Sequence, residues 1–284
     1  MNAVSEDKWD LVISPNRRFL DFKFRELWEY RDLVLMFVRR DFVAVYKQTI
    51  LGPLWYILQP LLTTLVYVVI FGNVARLSTD GLPQILFYLS GVILWSYFAA
   101  CLNKTSSTFI DNAGLFGKVY FPRMAVPVAI VISNFNTFLV QFLLFLGFFF
   151  YYHFSTDLIH PNAYLLLLPL LILIMALMGL GAGLLISSLT TKYRDLRFLV
   201  VFGVQLLMFA TPVIYPLSSV PPAYRNLLLW NPMTPVIETF RFAFLGSGSF
   251  RWDLLLYATA FALLLFLSGG LVFNRVERNF MDTV

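Results

Sequence analysis

The sequence predicts an all-α integral membrane protein with six transmembrane helices, an N-terminal amphipathic interface helix, and short re-entrant gate helices between helices five and six. Three observations carry this. Of the 284 residues, 59% are hydrophobic and 13% charged, with a mean hydropathy of +0.75, where a soluble domain carries about 25% charge. The apolar residues fall in repeated long runs, and a membrane helix needs about 20 of them in succession. The runs do not alternate as barrel strands would, and backbone groups in lipid must bond within their own segment, so the spans are helices.

Residues 1–21 are expected to be a polar cytoplasmic segment. The first fifty residues hold no short apolar stretch followed by a small-residue cleavage site, so no removable signal is expected. Over 22–48, Trp28, Tyr30, Phe37 and Phe42 mix with Arg25, Glu26, Arg31, Arg39 and Arg40, a composition suited to a helix lying in the interface. Residues 49–284 form the membrane domain, with spans at about 54–74, 85–102, 125–154, 164–189, 198–215 and 254–273. None of these spans contains Lys, Arg, Asp or Glu, as expected where an ionised group at mid-membrane costs several kcal/mol. Between spans five and six, Pro216, Pro221, Pro222, Pro232 and Pro235 interrupt a stretch that stays apolar at Leu227–Trp230 and Phe240–Leu245. Short helices dipping back into the outer leaflet fit that pattern better than a solvated loop, because irregular backbone at such depth must be covered by protein or line a cavity.

Charge sets the orientation. With both ends inside, nine Lys and Arg precede Leu54, three lie between spans two and three (Lys104, Lys118, Arg123), three between four and five (Lys192, Arg194, Arg197) and two at the end (Arg275, Arg278). Outside stand Arg76, Arg225, Arg241 and Arg251. Seventeen of 21 basic residues inside is the bias of a topology with both termini cytoplasmic. The net charge of +5 therefore reports topology rather than nucleic acid, for which no stacking and basic motif is present.

The chemistry excludes several classes. An ion-coupled carrier places ionisable groups or broken helices near the midplane, and no span holds Lys, Arg, Asp or Glu. Gln59, Asn134, Asn136, Gln141 and Gln205 read as interhelical hydrogen bonders before ligands. Gly114–Val119 has neither the spacing nor the preceding strand of a phosphate loop, so an ATPase would be a separate chain, with ATP and Mg held there and no cofactor on this one. His153, Asp157 and His160 lie on one short outer loop, but three ligand types without a fourth partner make a poor metal site, and none is expected. Cys101 is the single cysteine, so neither an intrachain disulfide nor a thiol metal site is expected. No nucleophile elbow or paired carboxylate argues for catalysis, so the chain is not expected to be an enzyme.

Five patches then point to one family. Val45–Pro60 (VYKQTILGPLWYILQP) at the entry to span one, Asn112–Arg123 (NAGLFGKVYFPR) between spans two and three, and Tyr193–Arg197 (YRDLR) between spans four and five occur in order. They are followed by Thr211–Pro216 (TPVIYP) and Asn231–Arg241 (NPMTPVIETFR). Together they resemble the membrane subunits of type-2 ABC exporters for O-antigen, capsule and teichoic acid. The resemblance implies a homodimer of six-helix subunits over two copies of a cytoplasmic ABC ATPase, in a bacterial inner membrane, with a channel for a polyprenyl-linked glycan. O-antigen is the expected cargo; teichoic acid, capsule or a smaller amphiphile is the alternative, with an ion-coupled carrier more distant.

Energy coupling would run through Asn112, Leu115, Phe116, Lys118, Val119 and Arg123, with Tyr193, Arg194, Asp195 and Arg197 of the second loop. Leu115, Phe116 and Val119 would form the apolar side of a short helix that docks on the motor, flanked by Lys118 and Arg123. The bland reading is a topogenic basic loop. Thirty Phe, fourteen Tyr and six Trp invite a glycan channel, since rings offer rigid faces to sugars. Phe is nevertheless ordinary lipid-facing filler and Trp and Tyr gather at interfaces, so the channel-lining or gate set is restricted to Tyr56, Tyr67, Trp95, Tyr97 and Trp230, joined by Glu238 and Arg241. The last two are three residues apart and are expected to pair on one helix face.

Overall fold

The computed structural model describes residues 24–47, 49–119, 121–193 and 195–279. The expected segment 1–21, the ends of the 22–48 helix, and Arg194 of the second loop lie outside the described residues, as does Tyr120. Within them the regular elements are helical: α1 (Phe24–Glu29), α2 (Arg31–Tyr46), α3 (Trp55–Tyr67), α4 (Gln84–Ser106), α5 (Thr108–Asp111), α6 (Ala113–Phe116), α7 (Ala125–Ser155), α8 (Leu168–Thr190), α9 (Leu196–Phe209), α10 (Pro222–Leu229), α11 (Met233–Leu245) and α12 (Trp252–Asn279).

Among the described residues, five helical stretches are long and apolar enough to cross a membrane: Gly52–Val74, Gln84–Ser106, Ala125–Ser155, Ala163–Thr190 and Trp252–Glu277. This makes the chain a multi-pass membrane protein. The first is composite, a 3-10 turn (Gly52–Leu54) leading into α3 and a π-helical stretch (Val68–Val74) following it. The expected fifth span is shorter than its apolar run. The run continues to Tyr215, but α9 stops at Phe209 after 14 residues, about 21 Å of helix against the ~30 Å of a hydrocarbon core. The cause is Pro212, which lacks an N–H and biases Thr211 away from helical geometry. The interface helix also departs from one continuous element, breaking at Tyr30 (φ −93°, ψ 20°) into α1 and α2. α2 buries Val34, Phe37 and Val38, the i, i+3, i+4 stripe of an amphipathic helix, and sets Phe37 5.7 Å from Phe121.

α4 is the central helix, buried along most of its length. α8 packs on it and on α12 through glycines. A methyl group at Gly179 would meet Cys101 and the Phe98 carbonyl, one at Gly183 would meet Thr105, and one at Gly181 would meet the backbone of Leu265 and Phe266. Small residues two and four apart thus give α8 two smooth faces, the close-approach device of membrane helix pairs. The ring of Tyr164, before α8, lies 6.4 Å from Trp252 at the start of α12, while Phe273 near the end of α12 stacks 4.5 Å from Phe109 of α5. α8 and α12 are therefore parallel. The chain between them must return from the end carrying α5 and α6, here called the basic end, to the opposite one.

The phenylalanines of α7 are not lipid-facing filler throughout. Phe135, Phe138, Phe142, Phe145 and Phe149 form a ladder with successive centroids 6.3, 5.8, 6.0 and 6.1 Å apart. Phe240 and Phe244 of α11 interdigitate with it at 5.3 and 5.6 Å from Phe145. Spacing of three and four keeps these rings on one helix face, and offset ring pairs add to their area burial.

Candidate functional site

A cavity of about 290 Å³ opens between α3, α4 and α7, with Met208 of α9 closing one side. Tyr56, Tyr67, Trp95 and Tyr97, four of the five aromatics expected to line a channel, stand on its wall. The helix register explains the meeting. Tyr56, Gln59, Pro60, Thr63 and Tyr67 recur every three to four residues along one face of α3, and Asn134, Thr137, Phe138 and Gln141 do the same on α7. Phe138 backs Tyr97 at 5.3 Å, and the Tyr67 hydroxyl donates to Met208 Sδ at 3.6 Å. Lys104 lies at the basic end of the cavity and donates to Asn134 Oδ1 at 2.9 Å. α4 runs to Ser106 rather than to the expected Leu102, so this lysine is part of the helix. The wall therefore combines ring faces with uncharged hydrogen-bonding groups and one ammonium.

Trp230 is elsewhere. It caps α10 with its ring largely exposed, and its carbonyl accepts from the Tyr257 hydroxyl at 2.7 Å. Of the polar five, Asn136 lines a groove against α2 and Gln205 is exposed on α9, whereas Gln59, Asn134 and Gln141 share the cavity.

At the opposite end α11 carries Glu238 and Arg241, both buried. The expected ion pair between them does not form; each side chain is taken by another partner. Arg241 donates to the Pro212 and Val213 carbonyls at 2.6 and 2.7 Å, to the Phe87 carbonyl at 3.3 Å and to Ser90 Oγ at 3.3 Å. Its guanidinium also lies 3.7 Å over the Phe87 ring. The carbonyls left without helical partners where α9 ends are thus satisfied by one planar, multidentate cation. Asn231 completes the turn, donating to the Ala210 carbonyl at 3.1 Å and to Thr211 Oγ1 at 2.7 Å.

Glu238 accepts from the Ser249 backbone at 3.1 Å and borders a second cavity of about 350 Å³ with Asp80, Ser218, Arg225 and Arg251. Burial pushes its carboxyl above the ordinary carboxylate range, opposed by the charge of Arg241 and the bonds from Ser249. A raised folded pKa favours the folded state below the unfolded value, and that contribution is lost as pH rises through the folded one. Glu238→Gln is accordingly expected to gain melting temperature relative to the unsubstituted protein as pH is raised from 4.5 to 8, read by a thermal melt at each pH.

At the basic end the two loops expected to couple meet directly. Arg197 bonds Asp111 at 3.3 Å, joining the start of α9 to α5. The Asn112 amide donates to the Thr108 carbonyl at 3.0 Å. Phe116, expected on a docking face, is instead buried in its own chain, 6.0 Å from Phe109 and 5.7 Å from Phe121, with Arg123 5.5 Å over its ring. Arg123 also donates to the Glu277 carbonyl at 2.8 Å, pinning the loop to α12. Leu115 is half-buried; Lys118, Val119, Tyr193 and Asp195 are exposed.

Residues 32–245, three quarters of the chain, match the sequence family described as ABC-2 type transporter. The chain belongs to that family. Among similar proteins are two named O-antigen export system permease protein RfbA. The one from Klebsiella pneumoniae is 27% identical over 88% of this chain and 94% of its own length. The one from Myxococcus xanthus is 29% identical over 92% and 98%. The polysialic acid transport protein KpsM of Escherichia coli is 26% identical over 80% and 87%. The family match takes in α2 through α11, so the cavity, the loops of the basic end and the Arg241 knot all belong to the ABC-2 region. α12, which locks onto α8 through Gly181 and Gly269, lies beyond it.

Proposed function

We propose that this chain is the membrane subunit of an ATP-driven polysaccharide exporter, moving a polyprenyl-linked glycan of O-antigen type across a bacterial inner membrane. The observation that carries this reading is the similarity, over nine tenths of the chain, to permeases named for O-antigen export. The cavity suits such cargo. A pyranose presents C–H faces and hydroxyl edges, and a wall of Tyr56, Tyr67, Trp95 and Tyr97 beside Gln59, Thr63, Thr137 and Gln141 offers rings to the first and hydrogen bonds to the second. A second reading, export of capsule, teichoic acid or a smaller amphiphile, has the similarity to the polysialic acid transporter KpsM in its favour.

The exporter is a homodimer on two copies of a cytoplasmic ABC ATPase, which holds ATP and Mg; this chain binds no cofactor. α9 with the turn at Thr211–Pro216 completes a sixth crossing, supported by the parallel course of α8 and α12, so both termini are cytoplasmic and the basic end faces the cytosol. α10 and α11 are the gate helices that dip into the outer leaflet. Residues 1–21 are a cytoplasmic segment, 22–48 the interface helix, and 49–284 the membrane domain.

Coupling runs through the exposed side chains of Lys118, Val119, Tyr193 and Asp195, with Arg194 of the same loop, which touch the motor, while Phe116, Arg123 and the Asp111–Arg197 pair hold the loops in place. The double variant Lys118→Glu, Val119→Asp is expected to lower ATPase co-purification by about tenfold with an unchanged melting temperature. Phe116→Ala is expected to destabilise the chain by about 3 kcal/mol. Normal co-purification and ATP-dependent export by the double variant would remove the coupling assignment.

A further inference from the structure

We propose that Lys104 is the anion-binding group of the α3–α4–α7 cavity, taking a phosphate or carboxylate oxygen of the exported molecule, with Asn134 setting its position. The inference rests on the export reading above and names the group that the reading leaves unassigned. Among the described residues lining the cavity, Lys104 alone is charged, so no carboxylate on that wall neutralises it.

Its partner is built rather than incidental. Asn134 is 4% exposed, and its amide nitrogen donates to the Ile130 carbonyl at 2.7 Å, one turn back on α7. That bond fixes the amide plane and turns Oδ1 to the ammonium at 2.9 Å. An ammonium carries three donors; Asn134 takes one and, being neutral, leaves the charge uncompensated. A lysine serving topology alone would extend its charge to the headgroups. This one is tied across to α7, beside the rings that suit a sugar. Two parts of an exported amphiphile carry matching chemistry: the phosphate that joins glycan to lipid, and the carboxylate of an acidic sugar.

The test uses the full chain purified with its ATPase in lipid nanodiscs, with binding read by native mass spectrometry. One probe is a polyprenyl diphosphate bearing a short neutral oligosaccharide; the other is a lipid-free oligosaccharide containing glucuronate. Lys104→Gln is expected to weaken at least one probe about tenfold, the scale of one charge-assisted bond. Lys104→Arg should stay within about threefold, because the charge is kept, and Asn134→Ala should fall between. Loss confined to the first probe assigns the phosphate; loss confined to the second assigns the carboxylate. If Lys104→Gln does not assemble, Asn134→Asp neutralises the ammonium without removing it and should show the same loss. Binding of both probes at normal strength by the assembled Lys104→Gln or Asn134→Asp protein overturns the assignment alone. An unsubstituted complex that binds neither probe overturns the polysaccharide reading and this inference with it.

Discussion

Arg241→Ala is expected to leave little folded protein. The side chain is 1% exposed and serves four acceptors drawn from two places: Pro212 and Val213 after α9, and Phe87 and Ser90 on α4. Burial pulls its guanidinium down only to about 10, so it is charged at neutral pH. Truncation removes the charge and strands the Pro212 and Val213 carbonyls, whereas the Phe87 carbonyl keeps its bond from Ser90 Oγ. With about 1–3 kcal/mol for each buried group left unsatisfied, the loss is on the order of 3–5 kcal/mol, a large share of a typical total of about 5–15. Arg241→Lys should recover only part of it, since a point charge cannot fork to two adjacent carbonyls. Yield after detergent extraction and the melting temperature measure both. A melting temperature for Arg241→Ala within about 2 °C of the unsubstituted protein would contradict the knot.

Gly181→Leu should be nearly as damaging, for the opposite reason. A Cβ there would stand 2.5 Å from the Phe266 nitrogen and 2.6 Å from the Leu265 carbonyl carbon. These are backbone atoms of α12 and cannot rotate aside, so α8 and α12 must separate along their length. Overpacking of a filled interface costs about 1–3 kcal/mol when side chains yield, and a backbone clash belongs at the upper end. Gly269→Val strikes the Gly181 carbonyl from the facing helix and should behave alike. Gly147→Ala, where a new methyl meets nothing within 4 Å, is the matched control and should be neutral. The effect reaches function because the far end of α12 carries Phe273 and Glu277, which hold Phe109 and Arg123. A Gly181→Leu protein as stable and as active as the control would show that the contact is not tight.

The spans were legible because long apolar runs have few other uses, and their ends agree with the helices to within a few residues except at α9 and α12. At α9 hydropathy continued past the point where Pro212 ends the helix, and hydropathy does not see a missing N–H. Trp95 and Tyr97 belong to the small set of rings expected at the channel, and helical register does bring them to one wall with Tyr56 and Tyr67. Trp230 has the same composition signal but sits at the end of a short helix, facing outward. Spacing placed Glu238 and Arg241 within reach of each other, yet Arg241 turned to carbonyls 28 and 29 residues earlier. Those acceptors exist only once α9 breaks beneath it, and no local pattern encodes that meeting. Phe116 was read as a docking residue from its apolar neighbours, although an apolar side chain on a short helix has its own protein to bury against first. One signal was present and went unread: Gly179, Gly181 and Gly183 alternate along α8, and such small-residue spacing marks close helix contacts.

Under the proposed function this chain is a conduit whose energy comes from an ATPase gripping its basic end. The most direct measurement is glycan transfer across sealed proteoliposomes holding this chain with and without its ATPase, supplied with ATP or a non-hydrolysable analogue. Transfer is expected only with both proteins and hydrolysable ATP. Transfer by this chain alone, or at full rate with the analogue, would contradict it.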